Sequence, residues 1–369
     1  LGLLQLAAIM RETGYIVSFL DCLDPYHPGL SAEGIRRVRR GPWGTGKFPK
    51  RQVPTPDALK DVPRPYYRYG LTQRLIRHEL ATISPPHAIL VTSGMTYWYP
   101  GVVEVVDVVR EVFPGIPILL GGIYATLCSQ HARLCVKPDY LIQGPGEIAA
   151  PKLVAEVTGG PLPRPLDPAV PKTWSVPALD LCRKLEFIPI LTGRGCPHRC
   201  SYCAARLLYP GFYRRRPMAV VDELEHWFQQ SGAHDVAFYD DALLEDFSHH
   251  LGPILEEVLV RGLPLRFHTP TGLEVRHIDR EAARLMRRSG FRTVRLSLET
   301  ADTHQQKRLG GKIDNEIFIY AVGFLKDAGF TREELGVYLM VGLPHQDIRE
   351  VQESVDFVLQ LGVKPLLAE

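Results

Sequence analysis

Between residues 186 and 369, short apolar runs alternate with amphipathic stretches on a regular beat. Strands are read at Phe187–Thr192, Asp235–Tyr239, Leu265–His268, Thr293–Leu298, Val337–Val341 and Lys364–Leu367. The spacing predicts helices at Ala219–Gln230, Phe247–Arg261, Asp279–Ser289, Asn315–Ala328 and Asp347–Leu361. Apolar strands separated by helical crossovers mean a parallel sheet, because each crossover lays a helix on a face of the sheet. Six such β/α units predict a partial (β/α)6 barrel, whose chemistry gathers at the carboxyl ends of its strands.

Residues 1–157 alternate too, with a different spacing. An opening helix carries Leu3, Leu4, Ala7 and Met10 at helical spacing and stops at Gly14. A strand is read at Tyr15–Leu20, then Ala88–Ser93, a helix at Val102–Phe113, and strands at Pro117–Leu120 and Asp139–Ile142. This predicts a doubly wound, Rossmann/flavodoxin-like parallel sheet that binds ligand at its strand ends. Those ends carry Thr92-Ser93-Gly94-Met95-Thr96, Gly121-Gly122 and Gly144-Pro145-Gly146-Glu147. Residues 21–80 interrupt the pattern with Arg36, Arg37, Arg39, Arg40, Lys47, Lys50 and Arg51 around Trp43 and Phe48, and with Arg64, Tyr66, Tyr67, Arg68 and Tyr69. They form either an anion or substrate lid or a solvated insertion. Residues 158–185 are a linker, with Pro161, Pro163, Pro165, Pro168, Pro171 and Pro177. The chain is expected to be a piece trimmed at both ends, since it opens with Leu1 inside a helix and closes on a strand.

A length of 369 residues suits two domains. A formal charge of +2 argues against a chain whose main work is coating nucleic acid or an acidic membrane. No apolar run reaches the ~18 residues of a membrane span, and Leu1–Met10 lacks the basic leader and cleavage site of a signal peptide. A reducing cytoplasm is expected. Seven cysteines is an odd count, and three of them fall within eight positions. That reads as metal ligation rather than as a disulfide framework.

These three, Cys196, Cys200 and Cys203, follow the first barrel strand in Gly193-Arg194-Gly195-Cys196-Pro197-His198-Arg199-Cys200-Ser201-Tyr202-Cys203. Three thiolates on one tight loop can hold three irons of a cubane cluster and leave the fourth open to a small molecule. Two bland readings stand beside this one. A zinc site would need His198 as fourth ligand, and a disulfide would leave one cysteine over.

The C-x3-C-x-aromatic-C loop of Cys196, Cys200, Tyr202 and Cys203, followed by six β/α units, resembles the radical S-adenosylmethionine (SAM) superfamily. The resemblance implies a 4Fe-4S cluster whose open iron chelates SAM, and one-electron cleavage of SAM to methionine and a 5′-deoxyadenosyl radical. It implies that Asp240 and Asp241 accept from the SAM ammonium; the alternative is a helix N-cap. It implies that Glu299 holds the ribose hydroxyls, with Ser297 expected on the same side of the strand. Gly342, in Val341–Pro344, would meet the adenine edge or form a plain turn. Thr269–Gly272 would line a substrate pocket or be a turn.

The strand ends of the first domain resemble the cobalamin-binding domain that precedes many radical SAM barrels. Ser93, Met95, Thr96, Gly121, Gly122, Gly144, Gly146 and Glu147 would surround the nucleotide tail. The usual Asp-x-His-x-x-Gly motif is missing, since Asp24-Pro25-Tyr26-His27-Pro28-Gly29 has the wrong spacing. Cobalamin is therefore expected without a protein imidazole ligand. The whole chain resembles a cobalamin-domain radical SAM enzyme that methylates or otherwise modifies an unactivated carbon. That class implies a small-molecule substrate and an electron donor such as flavodoxin or ferredoxin. The alternatives are a ring-forming or oxidoreductase enzyme without cobalamin, a methylthiotransferase using Cys22, Cys128 and Cys135, and a non-enzymatic zinc module.

Overall fold

The computed structural model describes residues 1–36, 38–164, 174–344 and 346–368. The chain divides into two compact units, Leu1–Pro168 with Thr173–Glu186, and Ala169–Lys172 with Phe187–Glu369.

In the first unit, helix α1 (Gly2–Glu12) buries Leu4, Ala7, Ala8 and Met10, the face its periodicity predicts. Tyr15–Leu20 is not a strand. It pairs with no strand among the described residues and leaves Ile16 fully exposed. The inserted region forms a small antiparallel ribbon of β1 (Lys50–Gln52) and β2 (Tyr67–Tyr69), then α2 (Gln73–Ala81). Thr72 caps α2 by accepting from Leu75 N at 3.2 Å. Two guanidiniums of this region are spent inside the unit, Arg68 on Glu104 at 2.7 Å and Arg40 on Glu186 at 2.8 Å. That leaves the lid reading with less charge than the sequence suggests; Arg37 lies outside the described residues.

Strand β3 (Ile89–Ser93), helix α3 (Tyr99–Val112), strand β4 (Ile118–Gly122), short helices α4 (Ile123–Leu127) and α5 (Ser129–Cys135), strand β5 (Tyr140–Leu141) and helix α6 (Gly146–Thr158) follow. The sheet is parallel in the order β3-β4-β5. It is smaller than the flavodoxin-like sheet expected, because Tyr15–Leu20 contributes side chains but no hydrogen-bonded strand. Val106, Val109, Ile118, Leu120 and Ile76 form its buried core. Residues 174–186 are not a free linker, since Ala178 N donates to Leu4 O at 3.0 Å; Pro165, Pro168 and Pro171 lie outside the described residues.

The second unit opens with β6 (Ile188–Ile190) and a two-residue hairpin of β7 (Gly193–Arg194) and β8 (Tyr213–Arg214), with α7 (Ala205–Leu208) inside it. The repeat then runs α8 (Pro217–Ser231), β9 (Asp235–Phe238), α9 (Leu251–Val260), β10 (Arg266–His268), α10 (Arg280–Arg288), β11 (Phe291–Glu299), α11 (Thr303–Arg308), α12 (Asn315–Asp327), β12 (Leu335–Met340), α13 (Ile348–Gln360) and β13 (Lys364–Ala368). The six long-range strands form one parallel sheet in the order β13-β12-β11-β10-β9-β6, the partial barrel that the beat predicts.

Alternation on β11 sends Val294, Leu296 and Leu298 into the helix-packed layer, and Thr293, Arg295 and Ser297 to the other face. Phe238, Phe267 and Phe291 stack at centroid distances of 5.3–6.0 Å across β9, β10 and β11. Asp279, Asp302, Asp314 and Asp347 each accept from a backbone N–H in the first turn of the helix that follows. Each cap is worth about 1 kcal/mol, which fixes where helices start at the mouth of the sheet. Among the described residues, no helix is long and apolar enough to cross a membrane.

Candidate active site

The cysteine loop begins where β6 ends, and a buried carboxylate holds its entrance. Asp240, after β9, accepts from Thr192 N at 2.9 Å, Thr192 Oγ1 at 2.7 Å and Gly193 N at 2.7 Å. His250 Nε2 sits 3.0 Å from Thr192 Oγ1. Thr192 gives its proton to Asp240, so it accepts from His250, which makes the imidazole the Nε2–H tautomer. Asp240 is therefore a clamp on the loop entrance, with its oxygens already committed. Asp241 points elsewhere. Burial raises its pKa, partly offset by a hydrogen bond from the Gly195 amide.

Gly195 has φ +76°, and a Cβ there would lie 2.0 Å from Gly211 O, so the turn into Cys196 requires glycine. Burial pushes the Cys196 thiol up, and the neighbouring Asp241, Cys200 and Cys203 add to the push. Cys196 and Cys200 are half-buried and Cys203 is exposed. Among the described residues, no three His, Cys, Asp or Glu side chains converge on a single-ion site. A tetrahedral zinc ion would need its thiolates drawn together around bonds of about 2.3 Å, whereas a cubane holds each thiolate on a separate iron. His198 does not supply a zinc ligand either. Its Nε2 faces Glu245 at 3.2 Å, and Arg276 Nη2 sits 3.3 Å from its Nδ1.

At the end of β11 the strand bulges. Ser297 pairs with Tyr338 and Glu299 with Leu339, which leaves Leu298 as the extra residue. Glu299 itself has φ +66°, a left-handed conformation that costs a non-glycine residue of order 1 kcal/mol or more. Ser297 and Glu299 therefore do not share a face as the simple alternation predicts. Ser297 Oγ lies 2.1 Å from where a Cβ on Gly272 would be, while Glu299 turns toward the cysteine loop. There Glu299 Oε1 accepts from Tyr202 Oη and from Lys312 Nζ, the latter at 2.5 Å. Burial and the Glu299 carboxylate together raise the Tyr202 phenol. Burial lowers Lys312, and the same carboxylate more than restores it. Glu299 Oε2 is buried and accepts no hydrogen bond. A buried carboxylate oxygen without a donor is costly, so this atom is fitted to a donor from outside the chain.

A strap crosses the outer side of the loop. Ser201 N and Oγ donate to Leu309 O and Arg308 O, each at 3.2 Å. A Cβ on Gly310 would stand 3.3 Å from Cys200 Cα. Tyr202, Leu298, Glu299, Gln306, Leu309, Gly311, Lys312 and Ile313 line a small cavity there. Lys312, Thr192 and His250 escaped the sequence reading. Lys312 follows Gly310-Gly311, whose left-handed φ values mark a tight turn, and that glycine pair was the available signal. Gly342 also differs from expectation. Its N–H and that of Leu343 donate to Gln346 Oε1 at 2.9 and 3.2 Å, so they close a turn.

The strand ends of the first unit present a mixed picture. Ser93 Oγ is spent on Met95 O at 2.8 Å. A Cβ on Gly122 would strike Thr92 Oγ1 at 2.3 Å, so its small size serves strand packing. Gly144 has open space around it, and a Cβ on Gly121 would meet only Ile142, at 3.9 Å. Thr126 ties these ends together, donating to Gly122 O and accepting from Gly144 N, each at 2.9 Å. Thr96 lies in a short turn before α3, while Gly146 and Glu147 open α6.

The Asp240–Thr192–His250 chain makes a pH prediction. Burial raises Asp240 from 3.8 to about 6, so its contribution to stability is full below 3.8 and fades as pH rises through 6. Burial lowers His250 from 6.5 to about 4, so its contribution is full above 6.5 and fades as pH falls through 4. The two slopes oppose each other over the same window. His250→Gln removes one of them. Relative to wild type, the variant should lose about 2 kcal/mol between pH 4.5 and 6.5, since each pKa unit is about 1.4 kcal/mol. Denaturant midpoints at the two pH values check this, and a difference that does not change with pH contradicts it.

Residues 190–358 match the radical SAM superfamily. The second unit thus carries a radical SAM domain. It is 22% identical over 80% of its length to an uncharacterised methyltransferase of Pyrococcus horikoshii, of which it covers 69%. It is 25% identical over 77% of its length to the anaerobic magnesium-protoporphyrin IX monomethyl ester cyclase of Rubrivivax gelatinosus, of which it covers 56%. The fold of the whole chain superposes on the radical SAM methyltransferase TsrM from Kitasatospora setae, with TM-score 0.70, 18% identity and coverage of 99% of this chain and 69% of the other. That structure holds cobalamin and a [4Fe-4S] cluster.

Proposed function

We propose that Cys196, Cys200 and Cys203 hold a 4Fe-4S cluster, that SAM binds over it, and that the first unit carries cobalamin for methyl transfer to an unactivated carbon of a small molecule. The observation that carries the SAM reading is Glu299 Oε2, a buried acceptor lacking a donor beside the cysteine loop. A ribose diol supplies donors of that kind. The cluster would deliver the electron that cleaves SAM.

The chain's own residues do the positioning. Asp240 and His250 fix the entrance to the loop through Thr192. Tyr202 and Lys312 hold Glu299 by one oxygen and leave the other free. Asp241, beside Gly195, remains the nearer acceptor for the SAM ammonium, and the turn at Gly342 keeps its place as a candidate neighbour of the adenine. Cobalamin rests on the open cradle at Gly121 and Gly144, on the small residues at the neighbouring strand ends, and on the likeness to TsrM. Relatives named as a methyltransferase and a cyclase align with 80% and 77% of this chain, so a ring-forming reaction is the second reading. The methylthiotransferase reading has less support, since Cys22 is only half-exposed and burial pushes its thiol up to about 11. An electron donor such as flavodoxin or ferredoxin completes the scheme.

The test is an anaerobic assay with SAM and a reductant, scored for 5′-deoxyadenosine and S-adenosylhomocysteine. Both products together mean methylation. Deoxyadenosine alone means radical chemistry without methyl transfer, and neither product overturns the reading. Reconstitution with hydroxocobalamin should leave corrinoid absorbance on the protein after desalting. Gly121→Leu should abolish that retention and spare the cluster spectrum. Gly122 is the poorer choice, because any side chain there collides with Thr92.

A further inference from the structure

The chain's small net charge of +2 conceals a one-sided distribution around the cysteine loop. Residues 193–216 contain six arginines and no aspartate or glutamate. Three of them are used internally. Arg194 is buried, Arg214 pairs with Asp246 at 2.9 Å, and Arg215 pairs with Glu223 at 2.5 Å. Arg199 and Arg206 are exposed and form no ion pair among the described residues. Arg199 lies between the first two cysteines. Arg206 follows Ala205, whose N–H lies 3.5 Å from Cys203 Sγ.

The strap adds to this surface. Lys307 and Arg308 are exposed, form no ion pair among the described residues, and are held against the loop by the bonds from Ser201 to the Arg308 and Leu309 carbonyls. The nearby acids are engaged elsewhere. Asp302 and Asp314 cap α11 and α12. Glu245 and Glu274 face His198 and His277, and Glu274 also binds Arg276. Four cations without an ion pair among the described residues thus lie on the loop and the strap beside it, where Cys203 is exposed. An unpaired basic rim does nothing for the fold, but it attracts an acidic partner and speeds its encounter.

We infer that Arg199, Arg206, Lys307 and Arg308 form the docking surface for an acidic one-electron carrier protein that reduces the cluster. This inference rests on the cluster reading above. One electron passes from a flavin hydroquinone to the cluster. The carrier becomes the semiquinone, the cluster goes from the 2+ to the 1+ state, and no bond breaks. The charge steers the carrier in, and the strap keeps Lys307 and Arg308 beside the loop.

The probe is an acidic flavodoxin, tested on the full chain with its cluster reconstituted. Two quantities are measured at 50 and 300 mM salt: binding of oxidised flavodoxin, and the second-order rate of cluster reduction by its hydroquinone. Wild type should bind more weakly and be reduced more slowly at the higher salt. The triple variant Arg206→Gln/Lys307→Gln/Arg308→Gln should lose about tenfold or more in both at 50 mM, within the range that electrostatic steering commands. Reduction by the small methyl viologen radical cation should not slow, and the cluster spectrum should match wild type. A carrier rate and affinity unmoved by both salt and substitution overturn the inference. So does preferential salt-sensitive binding of a DNA duplex at the same residues. If no cluster assembles at all, it is the parent reading that fails, and the absorbance spectrum shows this before any flavodoxin is added.

Discussion

Replacing Cys196, Cys200 or Cys203 with alanine is expected to remove the brown chromophore and to reduce 5′-deoxyadenosine formation to background. In the proposed cubane each thiolate would hold one iron, so two remaining thiolates would leave two irons without a protein ligand. The fold should survive. None of the three cysteines belongs to the buried core, and the loop is fastened at its entrance by Asp240 and at its far side by Ser201. An unchanged thermal midpoint with lost iron therefore separates ligand loss from unfolding. The controls are Cys22, Cys128 and Cys135. Their alanine variants should keep both iron and SAM cleavage. If Cys128→Ala lost about half the iron, a second cluster in the first unit would be indicated, and the methylthiotransferase alternative would displace the cobalamin one. Full iron in any variant of the first three would remove that residue from the cluster.

The barrel was legible because its signal is periodic and long. Most strands in the second unit are apolar runs between helices, several of which start at an Asp cap or a proline, and the observed strand ends lie within two residues of the expected ones. Lys364–Ala368, exposed at the edge, was read from its place in the beat. In the first unit the same reasoning overreached at Tyr15–Leu20. Those side chains fit a strand, but a strand also needs a neighbour to bond, and composition carries no information about neighbours.

The cysteine loop was legible in the sequence, and the contacts around it were not. The cysteine spacing is local and was visible at once. The Asp240 clamp joins residues 48 positions apart and the Tyr202–Glu299 contact residues 97 apart, so neither leaves a local pattern. The rule of two for strands misplaced Ser297 relative to Glu299, because a bulge inserts one residue and reverses every face beyond it. Lys312 was invisible for a related reason. A lysine after two glycines reads as a solvated turn until the fold brings a carboxylate to it.

Glu299→Gln is expected to weaken SAM binding roughly 10- to 150-fold, on a loss of about 1.5–3 kcal/mol for hydrogen bonds to a charged acceptor. The substitution preserves size and the left-handed backbone at φ +66°, so both proteins carry the same local constraint. It replaces a carboxylate that has one oxygen bound and one free by an amide whose NH2 group cannot accept. Lys312→Gln makes the informative comparison. Lys312 touches Oε1 and not the unpartnered Oε2, so its loss should loosen Glu299 without removing the acceptor, and SAM affinity should fall less than in Glu299→Gln. The cluster spectrum before SAM is added should be the same in all three proteins, because neither side chain is a ligand. Equilibrium binding of SAM to the reconstituted protein decides the matter. An affinity unaltered by Glu299→Gln would take this carboxylate out of the SAM site. An equal loss in both variants would mean that the Lys312–Glu299 pair acts as one unit, and that holding the carboxylate in place matters as much as its charge.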